Sequence, residues 1–296
     1  NGKMLPFAEA NTHVTAFTLH YGVAAFEGIR CYKRNDGRSA VFRLREHVER
    51  LIYSAKICDM VIPYSRDQIE AACLETLRAN KLVEAYIRPL VYLGPGALGL
   101  GSRDNPVDLI VIAFPWGAYL GADAINRGIR VHVSTYVRGH LNQTMSKAKI
   151  SGQYVNSVLA KREVVGMGYD EAIMLDADGR VAEGTGENIF MVYRGRLYTP
   201  PLSMPILDGI TRDAVLTLAR ENGVEVVEQT FTRDMLYASS EVFFTGTACE
   251  VTPVREIDKI AIGTGEPGPV TRKLQAAFAA VVKGATDAHP ELLAFL

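Results

Sequence analysis

Residues 146–189, SKAKISGQYVNSVLAKREVVGMGYDEAIMLDADGRVAEGTGENI, constrain the fold of this chain more than any other stretch. A helix-like run begins near Tyr154 and reaches about Met167, and the strand-like EAIML follows almost at once. The turn Asp176-Ala177-Asp178-Gly179 then leads into Glu183-Gly184-Thr185-Gly186-Glu187-Asn188. Helix and paired strands in one segment belong to a mixed α/β fold. Ahead of the helix stand two lysines two positions apart, Lys147 and Lys149.

The chain has 296 residues, of which 48% are hydrophobic, enough for a sizeable core and two domains. A net charge of -1 gives no electrostatic case for nucleic acid or an anionic membrane. Apolar runs such as VDLIVIAF at 107–114 are strand-sized and too short to cross a bilayer as a helix. The opening NGKMLPFAEAN carries no secretory pattern. Cys31, Cys58, Cys73 and Cys249 share no metal-type spacing and read as reduced thiols of a cytoplasmic protein.

Residues 35–39 make a turn before the strand AVFRL, which predicts a hairpin with the strand ahead of it. Val48, Leu51, Ile52 and Ala55 fall at helical spacing. Ser65 with Gln68 forms a capping-box pattern for the next helix. Strands near 85–93 and 107–114 flank the glycine-rich GPGALGLGSRDNP. The Pro- and Gly-rich residues 114–124 read as a connector, which places a small α/β domain at 1–113 and a larger one at 125–296. In the larger part Thr211 is placed to cap a helix ending before Gly223, and Pro269 opens a last helix.

An imine between a lysine and an aldehyde cofactor needs an uncharged amine, hence a desolvated or cation-rich setting. Lys147 and Lys149 would share one face of an extended strand, so spacing does not choose between them. Most such lysines are solvated. A carboxylate against a pyridine nitrogen keeps it protonated, so that the ring accepts electrons from a carbanion. Glu183 and Glu187 are the candidates, although loop glutamates more often cap backbone. A phosphate calls for cations and backbone N–H donors. Arg50, the helix opening Gly209-Ile210-Thr211 and the turn Gly246-Thr247-Ala248 fit that need. Residues 94–99 formally match G-x-G-x-x-G, but a strand follows rather than a helix, so the dinucleotide reading is rejected. His13, His20, His47, His132, His140 and His289 show no metal spacing, and no metal is expected.

Several stretches in this order resemble the fold-type IV pyridoxal-phosphate enzymes, and most closely the branched-chain amino-acid aminotransferases. They are HYGVAAFEGIR at 20–30, FRLREHVERL at 42–51, AYIRPL at 85–90, FPWGAYLG at 114–121, EGTGENIF at 183–190, GITRDAV at 209–215 and GTACEVTPVR at 246–255. The resemblance covers nearly the whole chain and implies a two-domain fold like that of D-amino-acid aminotransferase. In that fold a small α/β domain accompanies a larger β-barrel-like domain with flanking helices.

By that resemblance Lys149 is the Schiff-base lysine, Tyr154 hydrogen-bonds the phenolic oxygen of pyridoxal 5'-phosphate, and Lys147 is a bystander. Glu183 faces the pyridine nitrogen. Arg50, the Ile210 and Thr211 amides and Thr247 hold the phosphate. Thr247–Ala248, Tyr86 and Arg88 flank the substrate carboxylate, while Tyr21, Phe26, Trp116 and Tyr119 wall an apolar pocket.

The implied reaction is ping-pong transfer of the amino group of L-leucine, L-isoleucine or L-valine to 2-oxoglutarate. An apolar pocket separates these three poorly, because one methylene is worth only about 1–3 kcal/mol. Arg88 or a tyrosine hydroxyl should meet the distal carboxylate of glutamate. The resemblance also implies at least a homodimer, with residues 98–104 completing a neighbour's pocket. VRGHLNQTMSKAK departs from the commonest family version and is expected at the pocket rim. D-amino-acid and (R)-amine transaminases share the fold, and YGVAAFEG favours the branched-chain group over them. A non-catalytic protein that kept the fold is the remaining alternative, opposed by the intact Lys149, Tyr154, Glu183 and Arg50.

Overall fold

The computed structural model describes every residue except Ala118, Tyr119, Ala122 and Asp287. Its contacts divide the chain into two compact units. One holds residues 1–116, 148–154 and 289–296, and the other holds 117–147 and 155–288. The architecture is mixed α/β, with one sheet in each unit.

In the first unit a six-stranded, wholly antiparallel sheet is built around Ala85–Leu93. One edge of that strand pairs along its length with Val107–Phe114. The other edge pairs with Ala24–Phe26 and then Ile29–Lys33, leaving a break at Glu27 and Gly28. Pro89 lies opposite this break, and its carbonyl accepts the Glu27 N–H at 2.9 Å. A strand residue directs its N–H and C=O to the same edge, so the donor that proline lacks faces the break and costs no ladder bond. The expected hairpin pairs Ile29–Lys33 with Ser39–Phe42, in register Cys31 to Val41. Leu293–Phe295 returns to extend the sheet beside Ser39–Phe42.

Helices Leu44–Ile57 and Arg66–Ala79 belong to this unit. Val48, Leu51 and Ala55 are buried in one cluster with Ile69, Cys73, Leu77 and Ile87, and Ile52 packs on it. Burial of that stripe, not intrinsic propensity, holds such a helix in place. The capping box is formed: Gln68 N donates to Ser65 Oγ at 3.3 Å, and Ser65 N donates to Gln68 Oε1 at 2.9 Å.

The second unit contains a nine-stranded sheet, curled into a half-barrel. Its path runs Val226–Glu228, Arg196–Thr199, Asn188–Tyr193, Glu241–Gly246, Glu250–Ile257, Ile129–Val133, Glu171–Leu175 and Val181–Gly184. Ile260–Ala261 pairs with Glu250–Ile257. Arg194 and Gly195 both take positive φ, 50° and 77°, as a tight two-residue hairpin turn requires. Phe190 and Phe243 are directly opposed across strands and stack at 5.1 Å.

Pro269 opens the helix Pro269–Lys283, whose first amides are capped from outside. Glu241 accepts from Val270 N at 3.0 Å and Thr271 N at 2.7 Å, placing a carboxylate at the positive helix end. Thr211 does not cap its helix. Ile210–Glu221 starts after Gly209, whose extended backbone takes the cap position and leaves Thr211 buried in the first turn.

Candidate active site

Lys149 is held by its backbone before its side chain does anything. Its carbonyl accepts the Phe26 N–H at 3.1 Å, its amide donates to Ser54 Oγ at 2.9 Å, and Ile150 bridges to Ala25. Three residues on, the chain comes so close to Gly22 that a Cβ there would lie 2.9 Å from the Gly152 Cα. The φ of Gly22, +69°, also favours glycine. This lashing fixes the start of the helix Tyr154–Gly166, and the Tyr154 hydroxyl contacts Lys149 Nζ.

The rings of Tyr154 and Phe26 meet edge to face at 5.0 Å, and Lys149 Nζ lies 4.9 Å from each ring centroid. Arg88 extends the group, with its guanidinium 4.8 Å from the Phe26 ring and 5.3 Å from that of Tyr86. Tyr86 stacks on Trp116 at 4.6 Å. The buried Arg88 Nε has no hydrogen-bond partner among the described residues, an unmet donor that suits an anionic ligand. The Tyr21 hydroxyl donates to the Leu98 carbonyl at 2.6 Å, and its ring packs on Phe17. Tyr119 lies outside the described residues.

Arg50 is gripped by a carboxylate. The fully buried Glu27 accepts from Arg50 Nε at 2.6 Å and Nη2 at 2.9 Å, and meets His47 Nδ1 at 2.7 Å. Burial pushes the Glu27 carboxyl up, yet Arg50 and His47 outweigh it and hold it far below the usual carboxylate range. Burial lowers the pKa of His47, and Glu27 only partly offsets that. A neutral His47 must carry its proton on Nδ1, because the ionised Glu27 can only accept.

In the second unit Glu183 sits on the strand Val181–Gly184 with both oxygens engaged. Oε1 pairs with Arg138 Nη2 at 2.6 Å. Oε2 accepts from Asn188 Nδ2 and from Leu207 N, each at 3.1 Å. Glu187, four residues on, is also buried, but burial and then the charge of Glu171 push its carboxyl up. The two glutamates thus part: Glu183 is held as an anion by its arginine, while Glu187 favours the neutral acid.

Ile210 and Thr211 lie in the first turn of their helix, where amides precede the intrahelical ladder and attract anions. Thr247 and Ala248 form the turn between Glu241–Gly246 and Glu250–Ile257. The hydroxyl of the buried Thr245, just before that turn, has no partner among the described residues.

Lys147 and Lys149 do not share a direction of approach. Residues 146–147 form a turn, so strand alternation does not apply, and Lys147 Nζ goes instead to the carbonyls of Met204 and Ile206. Sequence reasoning passed over Glu27, His47, Ser54, Arg138 and Asn188. Glu27 and Asn188 lie inside quoted motifs, and His47 stands one helical turn before Arg50, so each carried a positional signal. Arg138 lies in the stretch expected at the pocket rim, and Ser54 carried no signal.

A sequence model of the Amino-transferase class IV family matches residues 24–257. This chain belongs to that family. Among curated relatives, a branched-chain-amino-acid aminotransferase of Pseudomonas aeruginosa is 49% identical over 291 residues, 98% of this chain and 94% of the relative. The crystal structure of the Escherichia coli branched-chain amino acid aminotransferase superposes with a TM-score of 0.97 at 45% identity, covering 99% of this chain and 96% of that one. The branched-chain amino acid aminotransferase from Thermobaculum terrenum, in its PLP-form, superposes with a TM-score of 0.92 at 34% identity, covering 99% and 95%.

The side chains of this class IV aminotransferase suit a phosphorylated pyridine aldehyde. An amine lies against a phenol, a carboxylate is held as an anion by arginine, and first-turn amides attract anions. A Cβ on Gly209 would fall 1.9 Å from Asn188 Oδ1, so the helix start is cut close around the amide that holds Glu183.

Proposed function

We propose that this class IV aminotransferase moves the amino group of L-leucine, L-isoleucine or L-valine to 2-oxoglutarate, with pyridoxal 5'-phosphate as cofactor. The observation that carries the reading is the Lys149 amine lashed beside Tyr154 and Phe26, in a chain so closely kin to branched-chain aminotransferases. When bound, the cofactor supplies an aldehyde that captures amines and a ring that accepts electrons from the substrate Cα.

In this reading the chain's own groups divide the work. With the cofactor bound, Lys149 would hold it through Nζ, and the same Nζ would serve the substrate's Cα proton as base and then as acid. Tyr154 orients Nζ and the phenolic oxygen. Glu183, kept ionised by Arg138, holds the proton on the pyridine nitrogen; Glu187, favouring the neutral form, suits that task poorly. Arg50, oriented by Glu27, binds phosphate with the amides of Ile210 and Thr211 and with Thr247. Arg88 and the Thr247–Ala248 turn receive carboxylates, and the unmet Arg88 Nε supports that role. Tyr86 flanks the substrate carboxylate, and Phe26, Trp116 and Tyr21 provide apolar wall in this reading.

We also assign a homodimer in which residues 98–104 reach a neighbour's pocket; Leu98 and Leu100 are exposed on that loop. A cytoplasmic location fits the four free cysteines, Cys31, Cys58, Cys73 and Cys249. The test is glutamate formation from leucine and 2-oxoglutarate by the cofactor-loaded protein. Its absence, or faster turnover of D-alanine or (R)-1-phenylethylamine, would overturn the substrate assignment.

A further inference from the structure

Lys147 spends its charge on backbone. Its Nζ donates to the Met204 carbonyl at 2.8 Å and to the Ile206 carbonyl at 2.7 Å. The carbonyl of Ile206 and the amide of Leu207 belong to one peptide group, and that amide donates to Glu183 Oε2 at 3.1 Å. One planar peptide thus receives an ammonium at its oxygen and offers its N–H to a carboxylate. A cation on the oxygen polarises the peptide and strengthens its N–H as a donor. Asn188 closes the ring, since its Nδ2 reaches both Glu183 Oε2 at 3.1 Å and the Leu207 carbonyl at 2.9 Å.

The surroundings raise the strength of this link. Met204 and Ile206 are buried with Ala182, the neighbour of Glu183 in sequence, so the peptide lies in a low-dielectric setting. Lys147 is itself half-buried, and burial lowers its pKa. Glu183 and then Asp208 favour its charged form, while Arg212 and Arg138 oppose it. Among these charges Glu183 acts on it most strongly.

We propose that Lys147 is a positioning residue for Glu183, acting through the Ile206–Leu207 peptide group. The proposal rests on the reading that Glu183 faces the cofactor's pyridine nitrogen. Lys147 stays a bystander to the covalent chemistry, yet it sets how firmly the anion for that nitrogen is held.

The test compares Lys147→Met, Lys147→Arg, Glu183→Gln and the Lys147→Met/Glu183→Gln double variant in the full chain. Three quantities are read: hydrogen exchange of the Leu207 amide, the dissociation constant for pyridoxal phosphate, and the pH midpoint of the bound cofactor's visible band. Lys147→Met should speed Leu207 exchange, weaken cofactor binding about tenfold, as expected for one charge-assisted hydrogen bond, and shift the band midpoint. Lys147→Arg should recover most of the loss. In the Glu183→Gln background, Lys147→Met should add little, because the two act in one chain of contacts. Unchanged Leu207 exchange in Lys147→Met, or a loss that simply adds to that of Glu183→Gln, overturns the proposal. Should Glu183→Gln alone leave the band unmoved, the ring-nitrogen reading fails; Leu207 exchange then still upholds or overturns the link. Lys147→Gln serves the same comparison if Lys147→Met does not fold.

Discussion

Replacing Glu27 by glutamine removes one negative charge from a fully buried site without changing its shape. The carboxylate receives two Arg50 donors, at 2.6 and 2.9 Å, and the His47 Nδ1 at 2.7 Å. An amide offers a single acceptor oxygen and sets two N–H donors against donors already in place. Arg50, its side chain only 11% exposed, then keeps its charge while losing the Glu27 carboxylate. Breaking a buried pair in this way costs about 3–5 kcal/mol.

The pH dependence carries the same sign. Because the folded-state pKa of Glu27 is depressed, its contribution is present above the unfolded value of about 4.3 and is lost as pH falls toward the depressed folded value. His47, whose folded pKa is also lowered, removes stability as pH falls below its unfolded value of about 6.5. Urea unfolding followed by circular dichroism, at neutral pH, at mildly acidic pH and below the unfolded Glu value of about 4.3, measures both effects. Glu27→Gln should lose about 3 kcal/mol or more at neutral pH. It should decline more steeply at mildly acidic pH, because His47 loses the charge that raises its pKa, and lack the parent's further loss below about 4.3. Its cofactor affinity should fall as well, since Arg50 is no longer oriented. A loss below about 1 kcal/mol, with unchanged cofactor binding, would refute the view that Glu27 holds Arg50 in place.

Two other changes probe the site through sterics. A Cβ on Gly28 would stand 1.7 Å from the Tyr86 hydroxyl, so Gly28→Ala should raise the KM for leucine about tenfold by displacing that ring, with cofactor affinity preserved; steady-state kinetics and cofactor titration check it. Gly209→Ala would press on Asn188 Oδ1 and loosen the hold on Glu183, so it should weaken cofactor binding about tenfold, measured by titration of the stripped protein.

Local patterns were legible where local physics decides. The stripe of Val48, Leu51 and Ala55, the Ser65–Gln68 box and Pro269 at a helix start each act within one or two turns, and each stands where it was expected. What lies far apart in sequence was not legible. Leu293–Phe295 is a short strand whose partner lies at Ser39–Phe42, and nothing in three residues announces that return. The Thr211 cap failed because a threonine near a helix start fits several positions, and the extended Gly209 came first. Lys147 and Lys149 could not be separated by period, because period says nothing inside a turn. Glu27 was passed over since burial and two cationic partners give it meaning, and neither shows in a string of letters.

Reduction of the cofactor-loaded protein with borohydride, followed by peptide mass spectrometry, tests the assignment on which the chemistry depends. The phosphopyridoxyl mass is expected on the side chain of Lys149, with Lys147 unmodified and with no adduct in a Lys149→Ala variant. Finding it on Lys147, or on any other amine of the parent protein, would contradict Lys149 as the covalent anchor and proton carrier.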